Sequence, residues 1–196
     1  MICSRCIVLD KGCVIYDGNV EEAIRIYMGT VKESPVKVDL TQVKRSEEHA
    51  GRVAFLKELE LLDKKDSILE MNEKVCFKLK YETEQENLDM YIRLVLRYAD
   101  GTPVTMITTK EPFKSHAGQD NEVVFTLDTT HIVPGKYTMS MILYEVNQFG
   151  TYRNCDGVTD AYCFEIQAQE DYAHKMDWSH RYWGHVSLGE IGIVSE

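Results

Sequence analysis

Chemistry requires particular side chains brought together, and the six histidines, His49, His116, His131, His174, His180 and His185, are the first place to look. They are scattered. His180 and His185, with Asp177 nearby, form the one local group, at a spacing that suits neither i,i+4 on a helix nor i,i+2 on a strand. A surface or aromatic-packing role fits them better than a metal or a general base. Cys3 and Cys6 make one C-x-x-C, but no further cysteine or histidine pair follows at zinc-finger spacing, so no metal is expected there. Neither G-x-S-x-G nor H-E-x-x-H occurs. Pro134-Gly135-Lys136-Tyr137 lacks the upstream glycine and the following Ser/Thr of a phosphate loop and reads as a turn before a strand. The 32 acidic residues guarantee many chance pairs, so no acid/base dyad follows from spacing alone. The chain is therefore expected to perform no catalysis and to hold no cofactor or metal.

The elements that would position a binding site are easier to read. From Arg52 onward the apolar period is two: Val75, Phe77, Leu79 and Tyr81 alternate with Cys76, Lys78 and Lys80. Ile92 to Tyr98 and Tyr137 to Tyr144 repeat the pattern. Shorter candidates are Val53 to Leu62, Val104 to Thr109, Val123 to Leu127 and Tyr162 to Ile166, separated by turns at Asp100-Gly101, His116-Ala117-Gly118, Pro134-Gly135 and Asp156-Gly157. Some seven strands with no long helical period predict an all-β antiparallel sandwich, immunoglobulin-like or jelly-roll. On two of these strands the outward positions carry Tyr91, Arg93, Val95 and Arg97, and Ser140, Ile142 and Tyr144. Aromatic rings offer flat apolar surface, while Arg and hydroxyls offer directional hydrogen bonds, and a sugar presents the matching C–H faces and hydroxyls. Outward Arg and Tyr are also common on strands for their propensity alone, so this pattern leaves ligand binding and plain surface both open.

The first 29 residues differ in character. Ile7 to Leu9, the turn Asp10-Lys11-Gly12 and Cys13 to Tyr16 predict a hairpin, and Asn19 with Glu22 has capping-box spacing ahead of a helix ending near Gly29. Residues 30–50, with Pro35, many charges and little periodicity, read as a linker, leaving 51–196 for the sandwich. Residues 171 to 196 hold Tyr172, Trp178, Tyr182 and Trp183 before Gly184 to Leu188, which reads as one more strand.

Length and composition set outer bounds. With 196 residues, 44% apolar and 28% charged, the chain can bury a core without staples. Its net charge of −10 disfavours nucleic acid and anionic lipid, which need a basic face. No run of 18 apolar residues or signal-peptide pattern occurs, so no direct membrane insertion is expected. Six cysteines are too sparse for a secreted disulfide framework and fit a reducing compartment.

Residues 3–29 resemble, in order and spacing, the closing segment of ABC-transporter ATPase domains: Cys3-Ser4-Arg5, an apolar strand, Leu9-Asp10-Lys11-Gly12, a second strand, Asp17-Gly18 and a helix. The ATP-binding motifs of such domains lie upstream, so Met1 reads as a truncation point. The remainder resembles the C-terminal carbohydrate-binding domain of Wzt-like subunits of polysaccharide (O-antigen type) ABC exporters. The residues that carry this are Leu61-Leu62-Asp63, the strand from Asn72 to Lys80, Asp100-Gly101, Ile132 to Thr138, Phe164-Glu165-Ile166 and the tail Trp183 to Leu188.

That resemblance implies a full subunit that uses ATP and magnesium to drive export of a lipid-linked glycan through a membrane permease, at the cytoplasmic face of a bacterial membrane. This domain would dock the glycan. By strand alternation its ligand residues would be Tyr91 and Tyr144 for stacking, Arg93 and Arg97 for hydroxyls or an acidic substituent, and Ser140 and Thr138 beside them, with Tyr152 near by loop proximity. The resemblance also implies a homodimer that exchanges its closing strand, giving Trp178, Trp183, Val186 and Leu188 an interface role. An unpaired terminal strand is a natural swapping element, and that is favoured over sugar stacking for the tail. The alternative function is an assembly module whose outward aromatics meet protein. A secreted carbohydrate-binding module fits less well. The glycan's composition, its terminal modification and any calcium stay open.

Overall fold

The computed structural model describes residues 3–29, 33–45, 53–118, 120–168, 178–189 and 191–194, and it divides into two units, residues 1–32 and 33–196. In the first, β1 (Cys6–Asp10) and β2 (Cys13–Gly18) pair antiparallel, with Asp10 opposite Cys13. The two-residue turn between them puts Lys11 and Gly12 both at positive φ, 48° and 82°, the geometry that matches the right-handed twist of the flanking strands. Helix α1 (Val20–Gly29) starts where expected: Asn19 Oδ1 accepts the Glu22 amide at 2.8 Å, satisfying an otherwise orphaned donor. Val8 and Ala23 are buried, yet Ile7, Leu9, Val14, Ile15, Ile24 and Tyr27 remain 46–61% exposed.

The second unit is the all-β sandwich that the alternation predicts. Its strands are β3 (Lys37–Asp39), β4 (Ala54–Leu61), β5 (Ile68–Glu70), β6 (Lys74–Thr83), β7 (Asp89–Tyr98), β8 (Pro103–Thr108), β9 (Phe113–Lys114), β10 (Asn121–Asp128), β11 (Gly135–Val146) and β12 (Tyr152–Gln167). One sheet runs β10-β6-β4-β3; the other runs β5-β12-β11-β7-β8, with β9 also beside β7. All pairs are antiparallel except β12 with β5, which lie parallel. Inward residues at period two fill the space between: Leu59, Phe77 and Leu79 from one sheet meet Leu94, Met141 and Tyr162 from the other. Phe77 and Tyr162 cross edge to face at 5.2 Å.

The outer face of the four-stranded sheet is a lattice of cross-strand ion pairs. Lys78 meets Glu60 at 2.7 Å, Lys80 meets Glu122 at 3.2 Å, and Lys37 meets Glu58 at 2.8 Å. Each cation there has its anion.

Part of the segment read as linker belongs to the sandwich. Lys37–Asp39 pairs with β4, a 3-10 turn follows at Leu40–Gln42, and Leu40 is fully buried in the core. Arg45 then reaches Asp156: its Nη1 lies 2.7 Å from Oδ2, which also accepts the Leu56 amide at 2.7 Å, while Arg45 Nη2 donates to the Leu56 carbonyl at 2.8 Å. Beside Asp156, Cys155 is buried, and burial pushes its thiol up to about 11. The closing strand expected at Gly184 to Leu188 is reduced to one bridge, Ile132 to Val186, after a short helix α2 (His180–Trp183).

Candidate functional site

Register decides which outward side chains on β7 and β11 share a patch. Tyr91 lies opposite Tyr144, Arg93 opposite Ile142, Val95 opposite Ser140 and Arg97 opposite Thr138. Directly opposed residues point to the same face, so six of the residues picked out by alternation fall on one surface. β12 brings the seventh. Tyr152, opposite Val146, sets its ring edge-on to Tyr144 at 6.4 Å, while Tyr91 and Tyr144 stack at 5.3 Å. The Arg93 guanidinium lies 4.8 Å from the Tyr144 ring and 5.2 Å from that of Tyr152, a cation held between aromatic faces. Arg93 Nε is buried with no hydrogen-bond partner.

The other half of the patch is tied to the backbone. Ser140 Oγ accepts from Arg97 Nη1 at 3.4 Å and from the Asp160 amide at 3.1 Å. Asp160 lies at φ 50° where β12 bulges, with Met139 opposite Tyr162 but Met141 opposite Val158. The bulge leaves backbone groups without ladder partners, and the Ser140 hydroxyl takes one of them.

Three positions differ from the open outward surface expected of them, Ile142 among them at 8% exposure. Tyr144 is only 8% exposed and Ser140 only 6%. Tyr144 is packed by Tyr91, Tyr152 and Arg93, and Ser140 by Arg97 and the bulge, so both organise the surface from beneath. What faces outward is Tyr152, 59% exposed, with Tyr91, Arg93, Val95 and Arg97 half-buried. Sequence reading passed over Phe149, 81% exposed in the β11–β12 loop, and Met106 on β8, opposite Val95. An aromatic set in the polar turn Asn147-Gln148-Phe149-Gly150 was the available signal for Phe149.

The tail residues assemble elsewhere. Trp178 and Trp183 meet edge to face at 5.6 Å, and Trp178 Nε1 donates to the Gly184 carbonyl at 2.9 Å. Val186 bridges Ile132, and Leu188 is almost fully exposed. His180 and His185 stack on Tyr98 with centroids at 4.2 and 4.5 Å, and their Nδ1 atoms are 2.9 Å apart. This is the aromatic-packing role. Gly135 makes room for it, because a Cβ there would sit 2.8 Å from the Tyr98 ring. A cavity of ≈ 480 Å³ opens between Thr102, Pro103 and Val104 and the tail at His180, Trp183 and Val186.

The fold therefore defines a β-sandwich domain with one ion-paired face and one aromatic–arginine face. The chain belongs to the Wzt C-terminal domain family, which it matches over residues 45–177. A crystal structure of the C-terminal domain of wzt superposes with a TM-score of 0.62 at 15% identity, covering 87% of this chain and 95% of that one, which establishes the shared fold. A Niemann-Pick type C2 protein from Japanese carpenter ant is a more distant likeness, at TM-score 0.41 and 9% identity over 62% of this chain and 98% of that one. No curated protein matches the sequence.

Proposed function

We propose that this chain is the glycan-recognising domain of the ATP-binding subunit of a polysaccharide ABC exporter, and that the glycan docks on the outer face of β12, β11 and β7. The observation that carries the reading is the cluster of Tyr91, Tyr144, Tyr152 and Arg93, joined by Arg97 and Thr138 along one face. Tyr152 supplies an exposed ring for the C–H face of a sugar. Arg93 and Arg97 supply donors for its hydroxyls, spaced about 13 Å apart along the strand. Tyr144 and Ser140 hold these groups in place. Nothing in this arrangement calls for a nucleophile, a general base or a cofactor, and the domain selects rather than transforms.

The hairpin and helix of residues 3–29, with six large apolar side chains on the surface, suit a piece that completes an ATPase domain; ATP, magnesium and the membrane permease would engage there. In that setting the domain sits on the cytoplasmic side of the membrane. The exposed apolar residues Leu188, Ile191, Ile193 and Val194 support a homodimer closed by the tail.

The test is binding of the full chain to a bacterial glycan array, followed by titration of the best binder. Tyr152→Ala and Arg93→Ala are expected to weaken it about tenfold or more each. Unchanged affinity in both variants would rule the face out and return the aromatics to a protein-contact role.

A further inference from the structure

Resting on that reading, we propose that the recognised glycan carries an anionic group, a carboxylate or a phosphate ester, and that Arg93 receives it. The contrast between the two outer faces motivates this. On the four-stranded sheet, Lys37, Lys78 and Lys80 all have carboxylates within 4 Å. On the opposite face, no such carboxylate lies against Arg93 or Arg97 among the described residues, in a chain with 32 acidic residues against 22 basic ones. Acidic side chains are plentiful, and among the described residues none is paired with either of the two arginines displayed there.

The state of Arg93 makes the vacancy specific. Its Nε is buried and has no acceptor, although burying a charged donor unsatisfied is costly. The Tyr144 and Tyr152 rings hold the guanidinium by its π-face, which stabilises the cation without using any N–H. Because Nε is shut off from the surface, the rings orient the guanidinium so that its Nη1–Nη2 fork, with no hydrogen-bond partner among the described residues, is the part a ligand can reach. A carboxylate or a phosphate matches it with two parallel hydrogen bonds and neutralises the charge, which a sugar hydroxyl cannot do. Arg97, one of whose N–H groups rests 3.4 Å from Ser140 Oγ, is left as the neutral-sugar contact further along β7.

The experiment uses an array in which neutral oligosaccharides are matched with versions bearing a terminal uronate or a phosphate ester. Full-length chain is expected to bind an anionic member about tenfold or more tighter than its neutral partner, with the advantage shrinking as salt is raised. Whether the uronate or the phosphate arm binds identifies the source of the charge. Arg93→Met is expected to bring the anionic and neutral partners within about threefold of each other, while Arg93→Lys, which keeps the charge and loses the fork, falls between. Equal binding of neutral and anionic partners by the unaltered chain overturns the proposal and leaves the glycan reading standing. So does a preference that survives in Arg93→Met. Should Arg93→Met fail to melt cooperatively, Arg93→Lys decides alone: undiminished preference overturns the proposal. Binding to no glycan at all overturns both.

Discussion

Asp156 is a carboxylate with two commitments. It faces Arg45 at 2.7 Å and accepts the Leu56 amide at 2.7 Å, so β12, β4 and the segment after β3 all converge on one buried side chain. Removing it would leave the Arg45 cation without its anion and the Leu56 donor without its acceptor. Asp156→Ala is expected to cost about 3 kcal/mol or more, since loss of one partner of a buried pair strands the other. Asp156→Asn, which keeps an acceptor for Leu56, should cost less. Urea midpoints read both, and a loss under about 1 kcal/mol for Asp156→Ala would show that the pair is not holding these segments together. The same logic separates Tyr144 from Tyr152 on the outer face. Outward parity was legible in the sequence for both Tyr144 and Ser140. Their burial was not, because it comes from Tyr152 and from the bulge at Asp160, each brought in by a strand distant in sequence.

Among the elements, the tail is where pH should act. The Pro134 carbonyl can only accept, so His180 Nε2, 2.9 Å away, carries its proton; neutral His180 then accepts at Nδ1 from His185 Nδ1–H. Burial pushes both imidazoles below the ordinary histidine range, with Asp100 pulling the other way on each. The Pro134 carbonyl also raises His180, and His185 lowers it. Tyr98, stacked on both rings, is pushed up by its own burial. A histidine with a lowered folded-state pKa binds more protons when released, so docking of the tail is fully supported above about pH 6.5 and weakens as pH falls below it. Amide exchange at Val133 and Ser187, which bond across this junction, should accelerate between pH 7 and 5 beyond the intrinsic trend. Protection independent of pH would contradict it. These elements also show what sequence could carry. β6, β7 and β11 run ten to twelve residues and display their period openly. β3 and β5 have three residues and β9 two, too few for any period, and the first half of β12 is interrupted by Gly157 and by its bulges. Val38 and Leu40 therefore looked like isolated apolar residues in a charged linker.

At the scale of the whole molecule, the sandwich has spent its charges unevenly. One face neutralises itself, and the other keeps two arginines against a net charge of −10. The apolar surface is uneven too: Leu188, Ile191, Ile193 and Val194 are 87–96% exposed at the chain's end. Such a stretch is an invitation to pair with a second copy. Truncation after Gln169 is expected to convert a dimer into a monomer in analytical ultracentrifugation, and a truncated chain that still sediments as a dimer would remove the tail from that role.

Cys155 offers a different kind of access to the same molecule. With its thiol pushed up to about 11, only about one molecule in ten thousand presents a thiolate at neutral pH, and burial keeps reagents from even that fraction. Cys3 and Cys13 are exposed and would be alkylated at once, with the partly buried Cys6, Cys76 and Cys163 following. The slowest phase, that of Cys155, is then a clock, native to the chain, that counts how often the sandwich opens at β12.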